Sequence, residues 1–182
     1  MLDPLLQQIL SLGLSLLFFT AAWHKLGGLQ QFRFALGDYQ LLPRSMLGPV
    51  ALLIPATECL LGIAWLLSIR PLATAVVSAG LLAIYAAAIA INLIRGRVHI
   101  GCGCGAAGTA GGDQPLSAWL LVRNSILIVA ALLCGLPSHA RDLGTIDYLT
   151  LIAGVVVVVL LYGAATQLLA NLSAIRVWRV RA

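Results

Sequence analysis

The stretch Leu72–Ile94, LATAVVSAGLLAIYAAAIAINLI, decides the fold. It carries no charged side chain and exceeds the roughly 20 residues that a helix needs to cross the hydrocarbon of a bilayer. Immediately after it comes Arg95-Gly96-Arg97-Val98-His99-Ile100-Gly101-Cys102-Gly103-Cys104-Gly105. That segment combines two closely spaced thiols, an imidazole and basic charge. A second apolar run, 118–136, follows it. The pattern predicts a membrane frame that holds a Cys-Gly-Cys turn at one face.

Composition agrees. The chain of 182 residues is 61% hydrophobic and 9% charged, against about a quarter charged in a soluble domain. Its mean hydropathy is +1.02. So few charges cannot cover a water-soluble surface, and the class is polytopic membrane protein. The net charge of +5 is not a nucleic-acid signal, because no basic patch interleaved with aromatics is present. Basic residues cluster instead where apolar runs end, as orientation in a bilayer demands.

Outward from Leu72–Ile94, four further apolar runs cover about 5–23, 46–69, 118–136 and 148–169. The first begins with Asp3-Pro4 and lacks a basic n-region, so it reads as a retained helix. Residues 24–45 mix charged and apolar side chains at helical spacing and predict a helix lying in the interface. His24-Lys25 is expected to end the first helix and anchor it there. The expected fold is all-α: a polytopic membrane helix bundle of five transmembrane helices plus one interfacial helix, a single membrane domain over 1–182. Residues 95–117 form the cysteine loop.

Five spans place loops alternately on two sides. Lys25, Arg33, Arg44, Arg95, Arg97, Arg123, Arg176, Arg179 and Arg181 fall on one side, and Arg70 and Arg141 on the other. The positive-inside rule makes the richer side cytoplasmic. The cysteine loop and the C-terminus go with it.

Cys102 and Cys104 are the expected reacting pair. A disulfide across one glycine closes a very small ring, and strained, exposed disulfides exchange readily. Arg95, Arg97 and His99 favour thiolate over thiol. The plain alternative is a glycine-rich turn with two incidental thiols. A second chemical reading gives His99, Cys102 and Cys104 to a soft ion such as Cu(I). It ranks lower, because a closed zinc site needs four ligands and Asp113 is a poor fourth. Neither a bound cofactor nor a resident metal is expected.

Glu58 lies mid-span, where an ionisable group is costly and points to function by default. Tyr85 falls at similar depth and is the first-choice partner, with Arg123 the second. The alternative is a protonated Glu58 that only fixes helix packing. Cys59 and Cys134 read as small hydrophobes. With Cys102 and Cys104 they also suggest a ladder of thiols for a relay across the bilayer.

His24-Lys25-Leu26, Tyr39-Gln40-Leu41-Leu42-Pro43, Pro55-Ala56-Thr57-Glu58, Ile91-Asn92-Leu93-Ile94-Arg95-Gly96, Cys102-Gly103-Cys104 and Arg123-Asn124 occur in this order. Together they resemble the methylamine utilisation protein MauE family, related to DoxX-like membrane proteins. The family often has Phe after the second cysteine, where this chain has Gly105. The resemblance implies a multi-pass protein of the bacterial inner membrane, required for maturation of methylamine dehydrogenase. That enzyme is periplasmic, and its small subunit carries many disulfides and a tryptophan-derived quinone. The implied partners are that subunit and a periplasmic thioredoxin-like protein. The implied work is disulfide formation, isomerisation or transport.

The implied substrate is periplasmic, whereas the charges put the loop in the cytoplasm. A relay of electrons reconciles them. So does a different span count, or a role for Arg95 and Arg97 at the thiols rather than in orientation. The leading expectation is a thiol–disulfide accessory protein. The others are a small membrane transporter or soft-metal-handling protein using Glu58, and a scaffold that only recruits a partner.

Overall fold

The computed structural model describes residues 3–97, 116–137 and 144–181, with side chains as far as Leu168. Among them the chain is all-α. The helices are α1 Pro4–Gly27, α2 Leu29–Asp38, α3 Leu47–Leu66, α4 Pro71–Ile94, α5 Ala118–Cys134 and α6 Thr145–Arg181. A single 3-10 turn, Arg44–Met46, leads into α3.

Local chemistry sets the ends. Asp3 caps α1 by accepting from the Leu5 N–H at 2.8 Å, and Pro4 takes the first helical position. Pro71 does the same for α4. The turn from α3 to α4 is so tight that Ser68 and Arg70 sit at φ 51° and 40°. It reverses the chain within four residues and makes the two helices antiparallel neighbours.

Exposure is inverted relative to a water-soluble bundle. Leu52, Leu53, Leu60, Val76, Val77 and Ile84 are exposed, while Ser11, Ser15, Lys25, Glu58, Ser78, Asn92 and Asn124 are buried. Lipid is the solvent that makes this distribution favourable, since it covers apolar faces and leaves polar groups to pair inside.

Among the described residues, four helices are long and apolar enough to span: α1, α3 with its leading turn, α4 and the first 24 residues of α6. The fifth apolar helix, α5, has only 17 residues. The expectation of five full-length spans is therefore corrected to four long helices and one short one. Ser117 at its start is extended, and Pro137 follows its end. The segment 24–45 is not one interfacial helix either. α1 continues through Gly27, and the separate helix α2 is only 10 residues long. At the other end, α6 continues well past residue 169, for 37 residues in all.

The half of the bundle nearest the start of α1 is held by satisfied hydroxyl and amide bonds. Ser11 Oγ donates to the Trp65 carbonyl and Ser15 Oγ to the Gly62 carbonyl, both at 2.8 Å. Trp65 Nε1 donates to Ser78 Oγ at 3.0 Å. Gln7 Nε2 donates to the carbonyls of Cys134, the last residue of α5, and of Leu136 just beyond it. Around them pack Leu14, Phe18, Leu61, Trp65, Ala75, Leu82, Ala131 and Cys134.

α4 and α5 lie against each other along their length. Gly135 sits where an added Cβ would be 2.6 Å from the Ala75 Cβ. At the far end Leu116 and Leu120 pack on Ile89. Both ends of the cysteine loop thus leave from one face of the bundle. α6 packs on α1, with Gly13 beside Val158 and Gly154 beside Ile9.

Candidate functional site: a buried Lys–Glu–Tyr cluster

The other half of the bundle contains an ion pair. Register explains how it forms. Ser11 opposite Trp65 and Ser15 opposite Gly62 put the Lys25 backbone level with about residue 52 of α3. Glu58 lies about six residues deeper, or about 9 Å at the helical rise. Helical side chains lean toward their own N-terminus. Because α1 and α3 are antiparallel, Lys25 leans into the membrane and Glu58 leans out toward it.

The two meet. Lys25 Nζ pairs with Glu58 Oε1, with the side chains only 3% and 1% exposed. Tyr85 of α4 donates its hydroxyl to the same Oε1 at 2.8 Å. Lys25 Nζ is 3.4 Å from that hydroxyl. Two aromatic faces close around the ammonium: Tyr85, whose ring centroid is 4.9 Å away, and Phe32 of α2 at 5.5 Å. α2 therefore lies over the pair, with Phe32 as its buried residue.

The composition of the chain sharpens this. Lys25 is its one lysine and Glu58 its one glutamate; every other basic residue is arginine and every other acidic residue aspartate. The structure brings these two together inside the membrane frame. Lys25 does not serve as the interfacial anchor expected of it, and that expectation is corrected. Its partner Tyr85 is where equal depth on α3 and α4 puts it. Arg123 is half-buried on α5, next to Asn124. The packing of Gly135 on Ala75 places Asn124 level with about residue 86 of α4. Four helices thus contribute polar side chains to one layer. Within it Asn124 Nδ2, and nearer the loop Asn92 Oδ1, are buried with no hydrogen-bond partner among the described residues.

Arg95 is exposed just past the end of α4, and Arg97 follows with its N–H bonded to the Asn92 carbonyl. His99, Cys102 and Cys104 lie outside the described residues. Cys59 and Cys134 are both free thiols. Cys59 lines a shallow apolar groove with Phe19, Trp23 and Leu26 on the outer face. Cys134 is in the core, its thiol donating to the Gln7 carbonyl at 3.3 Å. The same registers separate them by about 12 Å along the bundle axis. Direct exchange needs Cα atoms within about 7 Å, so these two cannot be adjacent rungs of a thiol ladder.

Tyr85→Phe removes one bond to the carboxylate and leaves Lys25 in place. We expect a loss of about 1.5 kcal/mol, at the low end for a bond to a charged acceptor. Thermal unfolding in detergent should show it as a fall in Tm of about 4 °C. An unchanged Tm would mean that the hydroxyl does not bind the carboxylate.

The family model described as Methylamine utilisation protein MauE matches residues 4–137. The chain belongs to the MauE family. Among its relatives are proteins named methylamine utilization protein MauE from Paracoccus denitrificans, Paracoccus versutus and Methylophilus methylotrophus. The first is 33% identical over 177 residues, covering 96% of this chain and 92% of that protein. The second is 34% identical, covering 91% and 88%. The third is 34% identical, covering 90% and 85%. No solved structure matches the chain significantly. The MauE match runs from α1 through the end of α5, and so takes in Lys25, Glu58, Tyr85 and the Cys102-Gly103-Cys104 segment.

Proposed function

We propose that this MauE-family protein is a membrane accessory factor for maturation of methylamine dehydrogenase, acting by thiol–disulfide exchange at Cys102 and Cys104. Family membership across nearly the whole chain carries the reading. The fold supports it. α4 and α5 pack closely and present both ends of the cysteine loop at one face, with Arg95 and Arg97 beside the first end. Basic charge there favours the nucleophilic thiolate.

The step is an exchange. One thiolate attacks a disulfide of the partner and forms a mixed disulfide, releasing one partner thiol. The second cysteine resolves it, leaving a Cys102–Cys104 disulfide and a reduced partner; the reverse delivers a disulfide. The immediate partner is a thioredoxin-like protein on the same side of the membrane as the loop, and the final client is the periplasmic, disulfide-rich small subunit of the dehydrogenase.

Five crossings of the inner membrane fit this best. α5 is short, yet it reaches from Ala75 at one end of α4 to Ile89 near the other. With five crossings, the charge bias puts the loop and the C-terminus in the cytoplasm. Exchange with a periplasmic client then requires reducing equivalents to cross the bilayer. An impermeant thiol reagent applied to intact spheroplasts decides the side. The charge reading predicts that Cys102 reacts only after the membrane is permeabilised; labelling in intact spheroplasts would place the loop in the periplasm. For the activity, Cys102→Ser and Cys104→Ser are each expected to abolish accumulation of active dehydrogenase during growth on methylamine. Normal accumulation in both variants would remove the exchange role.

A further inference from the structure

We propose that the space between Glu58, Tyr85 and Phe32 is a binding site for a short primary alkylammonium ion, and that Lys25 is its displaceable internal occupant. This goes beyond the thiol chemistry and does not depend on it. The ammonium of Lys25 is surrounded as a bound alkylammonium would be. A carboxylate oxygen and a phenol oxygen take its N–H donors. Two aromatic rings stand within 5.5 Å, close enough for cation–π attraction. The cage is almost wholly shielded, which strengthens each of these contacts.

Lys25 is placed to leave. It sits in the last turn of α1, two residues from the Gly27-Gly28 connection to α2. Lysines at such positions ordinarily carry the charge out to the headgroups along the apolar stem. Here the side chain runs the opposite way, held by the cage. Turning outward would take from Glu58 Oε1 the ammonium that pairs with it, which is unfavourable for a buried carboxylate. An incoming alkylammonium removes that cost, because one ammonium replaces another and the buried charge is unchanged. No bond is made or broken. The site selects an N–H donor of small cross-section: tetramethylammonium has no proton for the carboxylate, and potassium cannot use the rings and the hydroxyl together as directionally.

The lone lysine makes the test direct. Protein labelled with 13Cε-lysine gives one side-chain resonance, in detergent or nanodiscs. Methylammonium chloride is added, with potassium and tetramethylammonium chlorides at equal ionic strength as controls. The proposal predicts that methylammonium alone moves the Lys25 signal toward the position of a solvated lysine. Glu58→Gln should abolish the response. In Lys25→Ala, where nothing competes, methylammonium is expected to raise Tm by about 2–4 °C at a few times its Kd. If Lys25→Ala does not fold, the wild-type resonance decides alone. A resonance that ignores methylammonium overturns the proposal. That holds even if Lys25→Ala is stabilised, since the cage would then belong to Lys25 only.

Discussion

Lys25→Met should destabilise the protein by about 3–5 kcal/mol, the cost of leaving a buried charge without its partner. In thermal unfolding this is a fall in Tm of about 10 °C or more. Methionine keeps the length of the stem, so lost packing contributes little. The effect comes from Glu58, whose carboxylate is 1% exposed and loses the ammonium that pairs with Oε1. The double variant Lys25→Met/Glu58→Gln separates charge from packing. It removes both charges and should recover most of the loss, to within about 1–2 kcal/mol of wild type. If Lys25→Met alone costs less than about 1 kcal/mol, the two side chains are not paired in the membrane-embedded protein.

The second large effect is expected at the opposite end of the bundle. Gly135→Val should cost about 3 kcal/mol, because the new Cβ would be 2.6 Å from the Ala75 Cβ and 3.4 Å from the Leu72 Cα. Neither neighbour can rotate away, so α5 must move off α4. Gly154→Ala is the control. Its Cβ would also meet an atom at 2.6 Å, but that atom is the Ile9 Cδ1, the end of a flexible side chain. A rotamer change absorbs it, and the expected cost is below about 1 kcal/mol. Equal losses for the two variants in a denaturant titration would show that α4 and α5 do not pack as described.

Hydropathy located the apolar segments because lipid imposes one requirement on all of them. It could not locate helix ends, which follow different chemistry. α6 continues to Arg181 because the residues after 169 mix apolar side chains with arginines and include no glycine or proline to break the helix. The segment 24–45 divides into the end of α1 and a separate α2 at Gly28. The Glu58–Tyr85 contact was legible from depth alone, since both residues sit mid-span in adjacent helices. Lys25 was not. A lysine at the end of an apolar run ordinarily reaches out to the headgroups, and only the register of α1 on α3 turns it inward. The signal that pointed to it was compositional: one lysine and one glutamate in a chain whose other charges are arginine and aspartate.

The ion pair and the cysteine loop lie toward the same end of the bundle but rest on different residues. The ion pair ties α1, α3 and α4 together beneath α2, and the α4–α5 pair fixes where the cysteine loop begins and ends. Cys104→Ser leaves the cage untouched, and Glu58→Gln leaves both loop thiols in place. Each proposal can fail without the other.

Trapping thiols in cells growing on methylamine tests the central claim most directly. Cultures are quenched in acid and alkylated, and the protein is resolved without reductant. If Cys102 and Cys104 exchange disulfides with a thioredoxin-like partner, one of the single variants Cys102→Ser and Cys104→Ser accumulates a mixed disulfide. It appears as a reductant-sensitive band of higher mass containing that partner, and the double variant lacks it. Fully reduced thiols in the wild type, with no adduct in either single variant, would contradict the account.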